Sequence, residues 1–234
     1  PKLMYNFLKH LDRDYDATDG TQNRYIAAIS KVFKHYSNET KTDITPKVKW
    51  RSDKGGRPRY FSQEEEEGLI NVLSATRSPW SADVTMILLK TGMRLTEAVN
   101  IGLKEGQVGA DQPYGLLSSD RRTVHLFRTK NGSERDVPLS DEAFAALENL
   151  KFKPSLFYRA KPFYAAWHIA RRKIAPNDAL FVPHACRHTT CTKLASMGYN
   201  LTQIGDFVGH ASPSTTAKYI HRDEGVVMKM INSL

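Results

Sequence analysis

The feature that most constrains this chain is a cationic stretch at residues 47–59 that is poorly suited to regular structure. It reads KVKWRSDKGGRPR, and its two glycines and its proline disfavour both helix and strand. Helical patterns lie on both sides of it, so the chain cannot form one uninterrupted helical array. We therefore predict a partial helical domain over residues 1–45, an interdomain linker over 46–59 and a larger domain over 60–234.

The positive charge is concentrated in the first part of the sequence. The chain has a formal net charge of +9. Residues 1–59 hold 13 Lys and Arg against 7 Asp and Glu, a balance of +6, which leaves +3 for the remainder. Such an excess favours a polyanionic partner, and a cationic linker is suited to lie along phosphates, although a merely solvated tether is the alternative. The predicted contacts are Lys47, Lys49, Arg51, Lys54, Arg57 and Arg59.

Hydrophobic spacing predicts a mainly helical chain with one hairpin. Three/four spacing indicates helices over residues 3–15 and 21–36, with a turn at Asp19-Gly20 between them. After the linker, a helix is predicted to begin after the cap residue Ser62, and further helices are predicted over about 80–90, 94–100, 184–197 and 201–208, and again from residue 140 and residue 213. Asn131-Gly132 separates two extended runs within 122–139, which is typical of a β-hairpin. The predicted fold class is α+β, mainly α with a small antiparallel β-sheet.

Four short motifs follow one another in the larger domain. They are TGMRLTEA (91–98), RTKNGSERDVPL (128–139), HACRH (184–188) and GHASPSTTAKYIH (209–221). In this order and spacing they resemble the tyrosine recombinases, the phage integrase family. The resemblance covers about residues 60–222. It implies a catalytic domain that breaks and rejoins DNA, preceded by part of a helical core-binding domain that clamps DNA.

The resemblance singles out Tyr219 as the nucleophile among ten tyrosines. A phenol has an ordinary pKa near 10 and must lose its proton as it attacks phosphorus. Arg94 and Arg187 correspond to the family's phosphate clamps. Planar guanidinium groups suit this role because they stabilise charge on non-bridging oxygens through forked hydrogen bonds. Glu97 is then the acid that orients an arginine.

Three further residues complete the predicted site. By resemblance, His184 accepts or relays the tyrosine proton, and His210 donates a hydrogen bond to the scissile phosphate. Lys130, beside the hairpin turn, would protonate the departing 5′ oxygen as a general acid. Arg128 and Arg135 are predicted to contact phosphate or solvent. His188, one position after Arg187, is predicted to face away from the site in a structural role.

The predicted reaction needs no cofactor and no metal. The sequence has neither an H-E-x-x-H motif nor a four-cysteine site, and Cys186 and Cys191 are its only cysteines. No apolar run reaches the ~18 residues of a membrane span. We expect a cytoplasmic protein of a bacterial host cell. The family implies double-stranded DNA with attachment or core sites as partner, a tetramer on two duplexes, and DNA-bending accessory proteins.

The predicted function is site-specific recombination through a 3′-phosphotyrosyl intermediate, integrating or excising phage or mobile-element DNA. Three alternatives remain open at this point. A type IB topoisomerase uses similar residues to relax DNA, and a catalytically inactive regulator would bind DNA without cleaving it. A metal-dependent nuclease would lose its activity in EDTA.

Overall fold

A computed structural model describes residues 2–52, 58–102, 114–118, 122–127, 129, 132, 134–151, 160–210 and 212–217. The chain divides into two compact units, Pro1–Gly56 and Arg57–Leu234. Among the described residues, no helix has both the length and the apolar content required to cross a bilayer.

The first unit is a helical pair. Helix α1 spans Lys2–Tyr15 and α2 spans Asp19–Thr40, and Met4, Leu8, Leu11 and Ile26 form their small core. The predicted turn at Asp19-Gly20 is wrong, because both residues lie in the first turn of α2. Thr18 caps that helix by accepting from the Thr21 N–H, and the left-handed turn residue lies two positions before this cap, at Asp16, where φ is 46°. A side-chain cap with an acidic residue in the first turn outweighs the glycine.

Part of the predicted linker is bound to the first unit. The Asn23 side chain accepts from the Arg51 N–H at 2.8 Å and donates to the Arg51 carbonyl at 3.0 Å. The Arg51 guanidinium also donates to Gln22 at 3.1 Å, and Val48 packs against the apolar core of the pair. Residues 48–51 are therefore anchored to α2. Lys54 and Arg57 lie outside the described residues.

The second unit is built around one almost wholly buried helix. Helices α3 (Gln63–Ser74), α4 (Trp80–Thr91), α5 (Leu95–Ala98), α6 (Asp141–Lys151), α7 (Ala160–Ile174), α8 (His184–Ser196), α9 (Leu201–Val208) and α10 (Pro213–Thr216) follow in chain order. Helix α4 packs against α3, α6 and α8. Its buried hydroxyls are satisfied by nearby backbone carbonyls, since Ser81 donates to Ser78, Thr85 to Ser81 and Thr91 to Ile87. The core can therefore surround α4 without leaving these groups unpaired.

A four-stranded sheet lies beside these helices. Strands β1 (Ile101–Gly102), β2 (Gly115–Ser118), β3 (Thr123–Leu126) and β4 (Arg135–Pro138) pair in that order. The predicted hairpin is confirmed as β3 and β4, with Val124 opposite Val137. The predicted fold class, mainly α with a small antiparallel sheet, is confirmed, since β2, β3 and β4 pair antiparallel; β1 adds a parallel pairing with β2 that was not predicted. A two-residue strand is too short to show the alternation by which strands are recognised in a sequence.

Candidate anion-binding site

A glycine turn presents Arg94 at the start of α5. After α4, Gly92 adopts a left-handed conformation with φ 62°, and a β-carbon there would lie 2.8 Å from Val208 Cγ1. Glycine is thus required both by the backbone angle and by the close approach of α9. The chain then extends through Arg94, whose N–H donates to Glu97 Oε2 at 3.0 Å and whose Nη1 donates to Glu97 Oε1 at 2.8 Å. The turn therefore fixes both the backbone and the guanidinium of Arg94.

Glu97 holds two arginines at once. Its Oε2 also accepts from Arg135 Nη2 at 2.8 Å. Burial by itself would raise the pKa of the Glu97 carboxyl, but hydrogen bonds and positive charge from Arg135 and Arg94 hold the pKa below its usual range. Glu97 is consequently an ionised carboxylate at neutral pH, with 2% of its side chain exposed.

Arg135 does not occupy the surface position that the sequence suggested. Its side chain is only 9% exposed and faces Glu97 from strand β4. A β-carbon on Gly209 would lie 2.6 Å from its Nη1, so the guanidinium packs directly under the turn that ends α9. The predicted phosphate or solvent contact is therefore replaced by a buried ion pair. The motif at 128–139 contains Arg135, but nothing in the sequence around Arg135 indicates that it pairs with the carboxylate of Glu97.

Arg187 is a buried arginine with spare hydrogen-bonding capacity. Its Nη1 donates to the Gly92 carbonyl at 2.7 Å, and its Nε donates to His210 Nε2 at 3.4 Å. Its Nη2 is buried without a hydrogen-bond partner among the described residues. Burial and the charge of Arg94 lower the pKa of Arg187 to about 10, so the group is still a cation at neutral pH. An unsatisfied buried cation beside other arginines is suited to receive an anion.

His210 is held as a neutral ring at the end of α9. Gly209 adopts φ 73°, and the His210 N–H donates to the Gly205 carbonyl at 2.8 Å. A guanidinium can only donate, so the bond from Arg187 requires a lone pair on Nε2. The ring proton therefore lies on Nδ1, which is 2.9 Å from Thr216 Oγ1. Burial, followed by the charges of Arg187 and Arg94, lowers the pKa of His210 to about 4.

Two further histidines lie near His210. His184 is the exposed first residue of α8, and its ring contacts the ring of His188 edge to face at 4.7 Å. The prediction that His188 faces away is wrong, because residues four apart on a helix share a face. Both rings also contribute to the lowered pKa of His210. His188 and Thr216 are the neighbours of the site that sequence reasoning did not select.

The structure brings together Arg94, Glu97, Arg187 and His210, with His184 nearby. Tyr219, Lys130 and Arg128 lie outside the described residues. The last helix before Tyr219 is tied to the site, since Thr216 in α10 is fully buried and bonded to His210. Among the described residues, no cluster of three His, Cys, Asp or Glu side chains could hold a metal ion.

The predicted linker contacts differ from one another. Lys47 and Lys49 are exposed, whereas the Arg51 guanidinium bonds to Gln22. Arg59 makes several contacts within the second unit. Its Nε donates to Asp178 at 2.9 Å, its Nη1 to Glu65 at 2.8 Å, and its guanidinium stacks over Phe61 and Phe181. It therefore fastens the start of the second unit to that unit's own core.

The residues that build the anion-binding site lie in a region that matches a known protein family. The model of the Phage integrase family matches residues 59–225. The tyrosine recombinase XerC of Staphylococcus epidermidis is 25% identical over 220 residues, which cover 86% of this chain and 70% of that protein. XerC of Staphylococcus haemolyticus is 24% identical over 240 residues, covering 94% and 74%.

Solved structures show the same fold. The Tn1549 transposon integrase in complex with transposon right end DNA superimposes with a TM-score of 0.72 at 15% identity, covering 99% of this chain and 84% of that one. The XerH site-specific recombinase bound to a palindromic difH substrate gives 0.68 at 16% identity, covering 97% and 71%. The family model spans well over half of the sequence, including every element that builds the anion-binding site, and the chain therefore belongs to the phage integrase family of tyrosine recombinases.

Proposed function

We propose that this recombinase cleaves and rejoins DNA at the anion-binding site of Arg94, Arg187 and His210, with Tyr219 as nucleophile. The observation that carries the proposal is the buried Arg187 Nη2, which has no partner among the described residues and lies in a site rich in arginine. A scissile phosphate would complete its hydrogen bonding. Both arginines would then stabilise the charge that develops on the non-bridging oxygens during displacement.

The proposed reaction exchanges one phosphodiester for another. The Tyr219 oxygen attacks phosphorus, the bond from phosphorus to the 5′ oxygen breaks, and a 3′-phosphotyrosyl link forms. His184 accepts the phenolic proton, and Lys130 supplies a proton to the departing 5′ oxygen. A 5′ hydroxyl of a partner strand reverses these steps. The number of phosphodiester bonds is unchanged, so the exchange needs no ATP.

The Thr216 hydroxyl gives His210 the means to serve this phosphate. In the described state, Nε2 accepts from Arg187, so it cannot also donate to DNA. A hydroxyl can both donate and accept, so Thr216 can bond to Nδ1 in either tautomer. We propose that phosphate binding moves the ring proton to Nε2, which then donates to a non-bridging oxygen, while Thr216 donates to Nδ1.

The remaining assignments concern partners and domains. We propose that the first unit, with the exposed Lys47 and Lys49, clamps duplex DNA at attachment or core sites, as the partial core-binding domain. We further propose a tetramer acting on two duplexes with DNA-bending accessory proteins, in the cytoplasm of a bacterial cell. The substrates named for the Tn1549 and XerH structures, transposon right end DNA and the difH substrate of a site-specific recombinase, support mobile-element DNA or a specific recombination site as the substrate class.

Replacement of the nucleophile tests this function. The Tyr219→Phe variant is expected to bind a nicked duplex as the wild type does, but to give no covalent adduct on a denaturing gel. Tyr199→Phe is the matched control, because Tyr199 is an exposed tyrosine of the same unit and should form the adduct normally. An adduct that survives Tyr219→Phe would contradict the assignment. Parallel plasmid relaxation and two-site recombination assays separate a topoisomerase from a recombinase.

A further inference from the structure

The buried ion pair of Arg135 with Glu97 connects three separate parts of the site. Arg135 lies on β4 of the hairpin, Glu97 on α5, and Gly209 immediately before His210. One guanidinium thus contacts the carboxylate that holds Arg94 and also packs against the turn that presents His210. This is not a surface ion pair, because the Arg135 side chain is 9% exposed and that of Glu97 is 2% exposed.

The two oxygens of Glu97 divide their contacts between the arginines. Oε1 accepts from the Arg94 side chain, and Oε2 accepts from the Arg94 backbone and from Arg135. Without Arg135, Oε2 would accept only from the Arg94 backbone N–H, and Arg94 would be the only arginine bonded to the buried carboxylate. Arg135 adds a charge-assisted bond to Oε2, which strengthens the hold on the carboxylate and so on the direction in which Oε1 points at Arg94.

We propose that Arg135 is a positioning residue for catalysis, which acts through Glu97 to hold the Arg94 guanidinium in its phosphate-binding orientation. This inference rests on the proposed function of the site. Arg135 is not assigned a contact with DNA. Its predicted effect is therefore on the rate of strand cleavage rather than on DNA affinity.

A double-mutant cycle tests the coupling of Arg135 and Glu97. The variants are Arg135→Met, Glu97→Gln and the combination. The probe is a nicked duplex recovered from a random-sequence pool by covalent capture on the wild-type chain. The measurements are the single-turnover rate of adduct formation and the dissociation constant for the same duplex. A misoriented catalytic group typically slows a reaction by about 100-fold, so each single variant should lose roughly 10- to 100-fold in rate.

The cycle gives distinct outcomes for positioning and for simple structural support. If Arg135 acts through Glu97, the double variant loses no more than about 3-fold beyond the slower single variant, and DNA affinity stays within about 3-fold of the wild type. Losses that multiply, or a rate for Arg135→Met equal to that of the wild type, overturn the proposal. Arg135→Lys retains a cation for Glu97 and should recover part of the rate if Arg135→Met is poorly folded; no recovery in a folded Lys variant also overturns it.

A matched control lies on the same hairpin. Arg122 forms an exposed ion pair with Asp141 at 2.7 Å, away from the site, so Arg122→Met should cleave at the wild-type rate. Adduct formation by the wild-type chain distinguishes a failure of the proposed function from a failure of the inference about Arg135. If the wild-type chain captures no duplex, both the proposed function and this inference fail. If it does, and Arg135→Met cleaves equally fast, only the inference about Arg135 fails.

Discussion

Two glycines with similar backbone angles should respond very differently to a single methyl group. Gly209 has φ 73° and Gly198 has φ 89°, so alanine is strained at both positions. That strain costs roughly 1–2 kcal/mol, partly offset by the lower entropy of the unfolded chain. A β-carbon on Gly198 has no neighbour within 4 Å, whereas on Gly209 it would lie 2.6 Å from Arg135 Nη1 and 3.0 Å from its Cδ. Ordinary carbon contacts lie near ~3.5–4.0 Å, so Arg135 would have to move.

The additional cost at Gly209 comes from the end of Arg135 that holds Glu97. Moving it strains or breaks a 2.8 Å ion pair between nearly buried groups, and complete loss of such a partner costs roughly 3–5 kcal/mol. Since an arginine side chain can yield partly, we expect Gly209→Ala to lose about 1–3 kcal/mol more unfolding free energy than Gly198→Ala. Urea denaturation measures both. Gly209→Ala should also slow adduct formation, and Gly198→Ala should not. Equal losses of stability in the two variants would refute the packing of Arg135 under this turn.

Three other changes test the anion-binding site and the exposed lysines of the first unit. Lysine in place of Arg187 cannot keep the Gly92 contact and also present a forked pair of donors, so Arg187→Lys should slow single-turnover cleavage by about 100-fold or more. Arg59→Lys is the control and should lower the melting temperature but leave the cleavage rate unchanged. Similar cleavage rates in the two variants would contradict the role of Arg187 as a phosphate clamp. Because the pKa of His210 is lowered to about 4, the folded state binds a proton at this ring less readily than the unfolded state does, and stability should fall as pH drops from about 6.5 towards 4. His210→Gln should flatten the resulting decline in melting temperature. An unchanged slope of melting temperature against pH would refute the neutral buried ring. Replacing the exposed Lys47 and Lys49 with glutamine should reduce the salt dependence of DNA binding by about 0.9 per lost phosphate contact, and an unaltered slope would mean that they do not touch DNA.

Local signals in the sequence predicted the elements that carry the site. The helices predicted over about 80–90 and 201–208 end at Gly92 and Gly209, and both glycines adopt left-handed angles. The predicted helix over 201–208 begins where Asn200 caps α9 with a capping box. These signals succeed because a cap or a positive φ depends on residues within one helical turn.

Contacts between distant segments could not be predicted in this way. Arg135 meets Glu97 across 38 positions, and the short helix α10 does not by itself specify where the hydroxyl of its last residue, Thr216, points. The parallel strand β1 was likewise missed, because it consists of only Ile101 and Gly102. Asp19-Gly20 was misassigned as a turn because a cap on the preceding residue took precedence over the local propensity of glycine. In each case tertiary packing or capping decided the outcome.

The central claim is that the Tyr219 oxygen becomes covalently bonded to a DNA 3′ phosphate. The most direct measurement is mass spectrometry of the wild-type adduct after nuclease and trypsin digestion. Cleavage after Lys218 and Arg222 isolates the peptide Tyr219–Arg222, which contains a single tyrosine. We expect a nucleotide mass on this peptide, attached through a 3′ phosphate, with a free 5′ hydroxyl on the released strand. A nucleotide found on any other residue, or cleavage that leaves a 5′ phosphate, would contradict it.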